Sequence, residues 1–267
     1  MVHNSNYWNS IAEKIPKGQD YDVLLAEHYR ISHLNLLTRW IDFSKQQKIL
    51  KTDLFAEALC PERSFVWEIL KTPCDFTGID ISPDICQKAG EMASILVPGS
   101  FPVLISCDLR KLPFADNSYD VIISDSSLDH YSNSSDIEVA IRELFRILKP
   151  GGSLVITMDN KTNLTEPLFR IWILLNLAPF FIGKTYSMQE LKRSLENNGF
   201  EVLDSAPLIH NPRFFSKFFA NTLRRYFPDK CEFLIRKQLG FYDSLDNKLT
   251  KYLTAQFVAA KAKKPLT

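Results

Sequence analysis

The stretch Leu104–Asn160, LISCDLRKLPFADNSYDVIISDSSLDHYSNSSDIEVAIRELFRILKPGGSLVITMDN, decides how the rest of the chain is read. In and just before it lie three short apolar runs, Pro102–Ser106, Tyr119–Ser124 and Ser153–Met158, rich in Val and Ile and without polar alternation. Such runs read as strands buried on both faces, which belong to parallel sheets packed between helices. Between the last two, Ile137, Ile141, Leu144, Phe145 and Leu148 recur at helical spacing with charges opposite, predicting an amphipathic helix over Ile137–Leu148. The following LKPGG is expected to close that helix, because Pro150 cannot continue it and a glycine past the end accepts left-handed dihedrals. Strand, helix and strand in one sheet form a right-handed crossover. Ligands of such sheets bind outside the carboxyl ends of the strands. The residues to watch are therefore Cys107-Asp108-Leu109, Asp125 through His130, and Asp159-Asn160. A cleft lined by carboxylates suits a ligand with hydroxyls, an amino group or a purine amine.

The chain has 267 residues, of which 45% are hydrophobic and 24% charged, enough for one large α/β domain or two small ones, with a sizeable core. A net charge of +1 argues against a dedicated nucleic-acid surface. The five cysteines form no CxxC pair, so neither a metal site nor a disulfide framework is expected. Buried thiols in a reducing cytosol are the reading adopted. No basic-then-apolar leader opens the chain, and no run of about 20 apolar residues predicts a membrane span.

Working outward, residues 1–22 read as an N-terminal arm broken by Pro16-Lys17-Gly18. Over Tyr21–Phe43, the positions Leu24, Leu25, His28, Ile31, Leu34, Leu37, Trp40 and Ile41 predict a helix, either packed on the sheet edge or covering the site as a lid. Lys48–Thr52 reads as the first strand and Asp75–Asp80 as the second, with Ser82 as cap and Pro83 as first residue of the next helix. The apolar segment 167–183 is too short and interrupted to span a bilayer and reads as a lid helix or substrate wall. Ser187 and Glu190 form a capping-box pattern, Phe200–Ser205 a sixth strand and Leu253–Ala260 a seventh. The last two strands are separated by about 45 residues, longer than an ordinary loop. Within them Pro212–Lys237 is basic and aromatic, and reads as core packing, as the wall of an apolar pocket, or as a surface for peripheral contact with anionic lipid. The expected architecture is a doubly wound, Rossmann-like α/β fold. Its seven-stranded, mostly parallel sheet has helices on both faces. The expected organisation is an N-terminal helical arm or lid (1–45), a cofactor-binding half (46–163) and a C-terminal half with apolar insertions (164–267).

The order and wording of these segments resemble the class I S-adenosylmethionine-dependent methyltransferases, in their small-molecule branch. The resemblance covers Lys48 to Asn160 in register and Ser187 to Phe257 loosely. GIDISPDICQKA is similar to that family's second strand and following helix, CDLRKLPFADNSYDVIIS to its third and fourth strands, SLDHY to its substrate-facing segment, and ELFRILKPGGSLVITMDN to its most recognisable stretch. The resemblance implies S-adenosylmethionine as cofactor. Asp80 would hold the ribose hydroxyls beside Ile81. Asp108 would receive the adenine amine with Leu109 against the ring, and Ser124 and Asp125 would lie at the next strand end. The chain departs from the family at the first strand, which there runs into an acid and a glycine-rich turn that lets backbone approach the cofactor. Here LKTDLFAEA puts Lys51 at the acid's place, and Asp53, Phe55 and Glu57 at those of the glycines. Side chains there either block the methionine portion of the cofactor, or Asp53 supplies the missing carboxylate for the methionine amine; the bland alternative is that Asp53 and Glu57 only cap a helix.

His130 is the candidate general base, oriented by Asp129 or Asp125, since an imidazole titrates near neutral pH and can take a hydroxyl proton. The alternative is a loop histidine bonded to backbone. The expected function is methyl transfer to a small, apolar acceptor, on oxygen by preference. The runner-up is a relative that has lost catalysis and serves as a partner or ligand-binding protein. A nicotinamide site is disfavoured, because GxGxxG is missing after the first strand.

Overall fold

The computed structural model describes residues 5–14, 22–100, 102–175 and 181–266, and it gathers the predicted strands into one sheet. In chain order they are β1 (Gln47–Thr52), β2 (Cys74–Asp80), β3 (Val103–Ser106), β4 (Tyr119–Asp125), β5 (Leu148–Asp159), β6 (Glu201–Leu208) and β7 (Phe257–Lys263). In space the order is β3-β2-β1-β4-β5-β7-β6. All neighbours are parallel except where β7 inserts antiparallel between β5 and β6. This is the expected doubly wound, mostly parallel α/β sheet. Strand order reverses between β1 and β4, so their carboxyl ends open a crevice.

The helices are α1 (Ser5–Lys14), α2 (Val23–Trp40), α3 (Phe55–Leu59), α4 (Val66–Ile69), α5 (Pro83–Leu96), α6 (Ser134–Ile147), α7 (Glu166–Leu174), α8 (Met188–Asn197), α9 (Arg213–Tyr226), α10 (Cys231–Asp243) and α11 (Lys251–Thr254). Side chains alternate across the strands, as the pleat requires. Ile122, Leu154 and Ile156 face Ile141 and Leu144 of α6 and Leu191 of α8. Val121, Ile123 and Val155 face the other way, onto Leu36, Leu37 and Trp40 of α2. Ser82 caps α5, with its hydroxyl accepting from the Ile85 amide, and Ser187 with Glu190 closes a full capping box on α8.

Four expectations change. The run at β3 is not buried on both faces: β3 is the sheet edge and Val103 is 55% exposed. LKPGG does not follow the helix as its stop, because α6 ends at Ile147 and Leu148 already pairs with Tyr119. The register then shifts, resuming at Ser153 opposite Val121, and Gly151 takes up the bend with φ of 80°. The last strand starts at Phe257, four residues later than read, because 251–254 form α11. Finally, α2 is rotated from its predicted face. Tyr29 and His33 are buried while Ile31 is exposed, because the inward face meets a polar strand end. The expected break at Pro16-Lys17-Gly18 and part of the apolar segment, 176–180, lie outside the described residues.

Candidate functional site

Two spaces open side by side at the carboxyl edge of the sheet. The first is a slot of about 70 Å³ between the tips of β1, β2 and β3, lined by Thr52, Asp53, Asp80, Ile81, Leu109 and Tyr131 among others. The second is a cavity of about 570 Å³ between β1, β4 and the helices α2, α7 and α9. Trp8, Asp53, Phe55 and His130 line both.

Asp80 ends β2 with 8% of its surface exposed. Its two oxygens accept from the Leu54 amide (2.9 Å) and the Ser82 amide (2.8 Å), which fixes the carboxylate toward the slot. Burial pushes it up to about 6, against the pull of those two amides. Asp53 begins the turn after β1 with φ of 67°, the left-handed region where a glycine is the usual occupant. Burial, and then the Asp80 charge, push its carboxyl up to about 7. The slot therefore holds two desolvated acids and draws cationic ligands. The turn lacks glycine, yet Asp53 holds the left-handed backbone that a glycine would take. Its side chains form a pair of their own: Lys51 Nζ lies 3.1 Å from Glu57 Oε2, with each side chain 2% exposed. Glu57 Oε1 also accepts from the Ser64 hydroxyl at 2.7 Å. Burial alone would lower Lys51, but Glu57, Asp53 and Asp125 outweigh it and its ammonium is held above the ordinary range.

The other predicted residues divide between the two spaces. Leu109 and Ile81 line the slot. Asp108 lies beside it, gripped by the Arg110 guanidinium at 2.6 Å; Tyr131 donates to it at 3.4 Å. Burial pulls Asp108 upward, but Arg110 wins and holds it below the usual carboxylate range. Ser124 is fully buried and accepts from the Thr52 hydroxyl at 3.1 Å. Asp125 lines the large cavity rather than the slot. It takes bonds from Tyr29 (3.1 Å), Thr157 (2.6 Å) and His33 (3.0 Å). Burial would raise it, but the His33 charge and hydrogen bond hold it far below the usual range. Nδ1 of His33 meets the Tyr29 carbonyl at 2.9 Å, so both ring nitrogens face acceptors.

His130 stands at the junction of slot and cavity, edge-on to Trp8 with ring centres 4.7 Å apart. Its Nδ1 donates to the Phe181 carbonyl at 2.9 Å, and a carbonyl only accepts, so the neutral ring carries its lone pair on Nε2. The two acids expected to orient it are engaged elsewhere, Asp125 with His33 and Asp129 with the Ser126 hydroxyl and the Asp159 amide. Sequence reasoning missed Tyr29, His33, Arg63 and Trp8. Tyr29 and His33 lie one helical turn apart on α2, a polar spacing visible in the sequence but hidden by the apolar pattern around it.

Comparison with known proteins fits this geometry. Residues 60–156 match the family described as Methyltransferase domain. The chain is 33% identical over 113 residues to a demethylmenaquinone methyltransferase of Desulfitobacterium hafniense, covering 42% of this chain and 43% of the relative. It is 26% identical over 182 residues to the O-methyltransferase resE of Aspergillus sclerotiorum, covering 67% and 60%. The match spans less than two thirds of either relative. In fold it is similar to the N-methyltransferase NodS of Bradyrhizobium japonicum, solved with S-adenosylhomocysteine. The TM-score is 0.61 and the identity 13%, over 97% of this chain and 98% of that one.

Residues 60–156 form a methyltransferase domain, and the whole chain shares its fold with S-adenosylmethionine-dependent methyltransferases.

The cofactor of this methyltransferase family is S-adenosylmethionine; the slot of about 70 Å³ is smaller than that molecule, but the side chains around it suit it in kind. An acid fixed by two backbone amides at the tip of β2 matches ribose hydroxyls, and apolar Ile81 and Leu109 match the faces of a purine. Two buried acids of raised affinity for protons match a ligand that carries an ammonium and a sulfonium.

Proposed function

We propose that this methyltransferase moves the methyl group of S-adenosylmethionine to an oxygen of a small, largely apolar acceptor held in the 570 Å³ cavity. The observation that carries this reading is the position of His130, Asp53, Phe55 and Trp8, which line both the slot and the cavity and so mark where two ligands would meet.

When bound, the cofactor supplies a methyl group made electrophilic by its sulfonium. Asp80 would hold the ribose, Ile81 and Leu109 would flank the adenine, and Asp108, set by Arg110, would accept from its amine. Asp53 would receive the methionine ammonium. Phe169, Trp172, Ile209 and Phe257 enclose the acceptor and exclude water. His130 would accept the hydroxyl proton of the acceptor on Nε2, the ring being held by the bond from Nδ1 to the Phe181 carbonyl. Alignment of acceptor oxygen and methyl contributes at least as much as the base. Oxygen as the acceptor atom is supported by the resemblance to an O-methyltransferase.

Calorimetric titration with S-adenosylhomocysteine, followed by transfer of radiolabelled methyl to a panel of apolar phenols and alcohols, tests this reading. Binding and label transfer are expected. His130→Asn should lower kcat by roughly 10²–10⁴ while leaving cofactor affinity near its original value. Absence of binding at millimolar ligand would sink the reading in favour of a non-catalytic relative.

A further inference from the structure

Helix α9 is apolar on both sides. Ser216, Ala220 and Leu223 turn inward, the last two packing with Leu24, Ile235 and Leu239. On the other side Phe215, Phe218, Phe219 and Tyr226 stand 38–73% exposed. Helix α7 repeats the arrangement. Leu168, Ile171 and Leu174 are 46–79% exposed, while Phe169 and Trp172 line the large cavity. The two exposed stripes adjoin, since Leu168 and Phe215 line one shallow groove. Phe218 lines the cavity itself, so the outer apolar skin runs into the acceptor space without a break.

Charge selects the occupant of this skin. Residues 212–237, which span α9 and the start of α10, carry seven Lys and Arg against two Asp and Glu in a chain whose net charge is only +1; Arg224 and Arg236 are paired with Asp22 and Glu27, and the other five still exceed the segment's own acids. A second copy of the chain, paired about a two-fold axis, would set this basic face against itself. An anionic lipid surface complements it, as basic helices with aromatic anchors do when they lie in the plane of the headgroups. No helix among the described residues is long and apolar enough to cross a membrane, so the contact is peripheral.

We propose that the α7–α9 face docks on an anionic lipid bilayer and that the large cavity opens toward that bilayer, so that an acceptor dissolved in lipid enters it without crossing water. The acceptor route rests on the function proposed above; the docking does not.

The test is co-sedimentation of the full chain with vesicles of phosphatidylcholine alone and of phosphatidylcholine mixed with phosphatidylglycerol. Pelleting with the anionic vesicles only, weakened by added salt, is expected. Leu174→Ser combined with Tyr226→Ser, and separately Arg225→Glu, should each weaken it roughly tenfold or more, with circular dichroism and S-adenosylhomocysteine affinity unchanged. No pelleting, equal pelleting with neutral vesicles, or a concentration-dependent dimer abolished by the Leu174 and Tyr226 changes would overturn the proposal, the last by assigning the face to a second copy. Vesicle binding is read without any methyl transfer, so it fails or succeeds independently of the proposed reaction.

Discussion

The turn after β2 and the turn after β1 stand side by side at the sheet's carboxyl edge and start helices in the same direction. After β2, Asp80 accepts two backbone amides, Ser82 caps α5, and Pro83 begins the helix. The cap itself is local, from the Ser82 amide to Asp80 and from the Ile85 amide to Ser82, while the second Asp80 oxygen is held by Leu54 of the neighbouring turn. After β1, Asp53 adopts the left-handed bend that a glycine would supply, and Lys51 and Glu57 close an ion pair beneath it. The backbone follows the same course in both designs, but its support differs. Glycine turns need only the absence of side chains, whereas this one depends on two buried charges cancelling. The second design is more fragile to single changes, and its acids make the slot electrostatically hungrier for a cation.

The largest effect should come from breaking that cancellation. Lys51→Met leaves the Glu57 carboxylate buried without its cation, and loss of one partner of a buried pair costs about 3–5 kcal/mol. Glu57 would keep only the Ser64 hydroxyl. Replacing both, as Lys51→Met with Glu57→Leu, should recover most of the loss, because an apolar pair of similar volume is often as stable as the ion pair. Urea unfolding of the three proteins reads this directly. A double variant as unstable as the single one would mean that the pair does more than hold the turn together.

The β2 turn should respond through binding. Asp80→Ala is expected to weaken S-adenosylhomocysteine by at least about tenfold, or ~1.4 kcal/mol, measured by calorimetry. The Leu54 and Ser82 amides also lose their acceptor, so Asp80→Asn serves as the partner variant, keeping one oxygen for an amide while removing the charge. Unchanged affinity in both would displace the ribose from this position.

The same contrast explains what the sequence discloses. The central strands were legible because burial on both faces leaves an uninterrupted apolar run, and Ser82 and Pro83 because a helix cap is a local pattern, whereas the Leu54 amide that holds Asp80 comes from 26 residues away. The inward face of α2 was not, since Tyr29 and His33 answer to Asp125, over 90 residues away. Periodicity treats such residues as polar and turns them outward. The exposed faces of α7 and α9 were illegible for the opposite reason: both sides are apolar, so spacing cannot say which side is buried. At the first turn the missing glycines were plain in the sequence. The retained left-handed φ at Asp53 and the pairing of Lys51 with Glu57 depend on coordinates.

The smallest effect is also the most discriminating. Asp53→Gly restores the family's residue, relieves a left-handed side chain and removes a buried acid, at the loss of the 2.9 Å bond from the Phe55 amide. The Asp53 carboxyl is raised from 3.8 to about 7, so the folded chain keeps this proton over a range where the unfolded chain has released it. Stability therefore falls as pH rises through that window, with a slope that Asp53→Gly should flatten. Above neutral pH the variant is expected to be more stable by about 1 kcal/mol, the usual cost of a non-glycine residue held in this region. Thermal unfolding at pH 5 and pH 8 checks both statements. Binding then decides what the carboxylate is for. If Asp53 receives the methionine ammonium, the stabilised variant should bind S-adenosylhomocysteine several-fold more weakly, because the ligand loses its counter-charge while the fold gains. If the side chain merely occupies space, the same variant should bind more tightly. Stability and affinity moving in opposite directions is the expected result, and it would make this turn one in which a carboxylate does for the ligand what a glycine does elsewhere for the backbone.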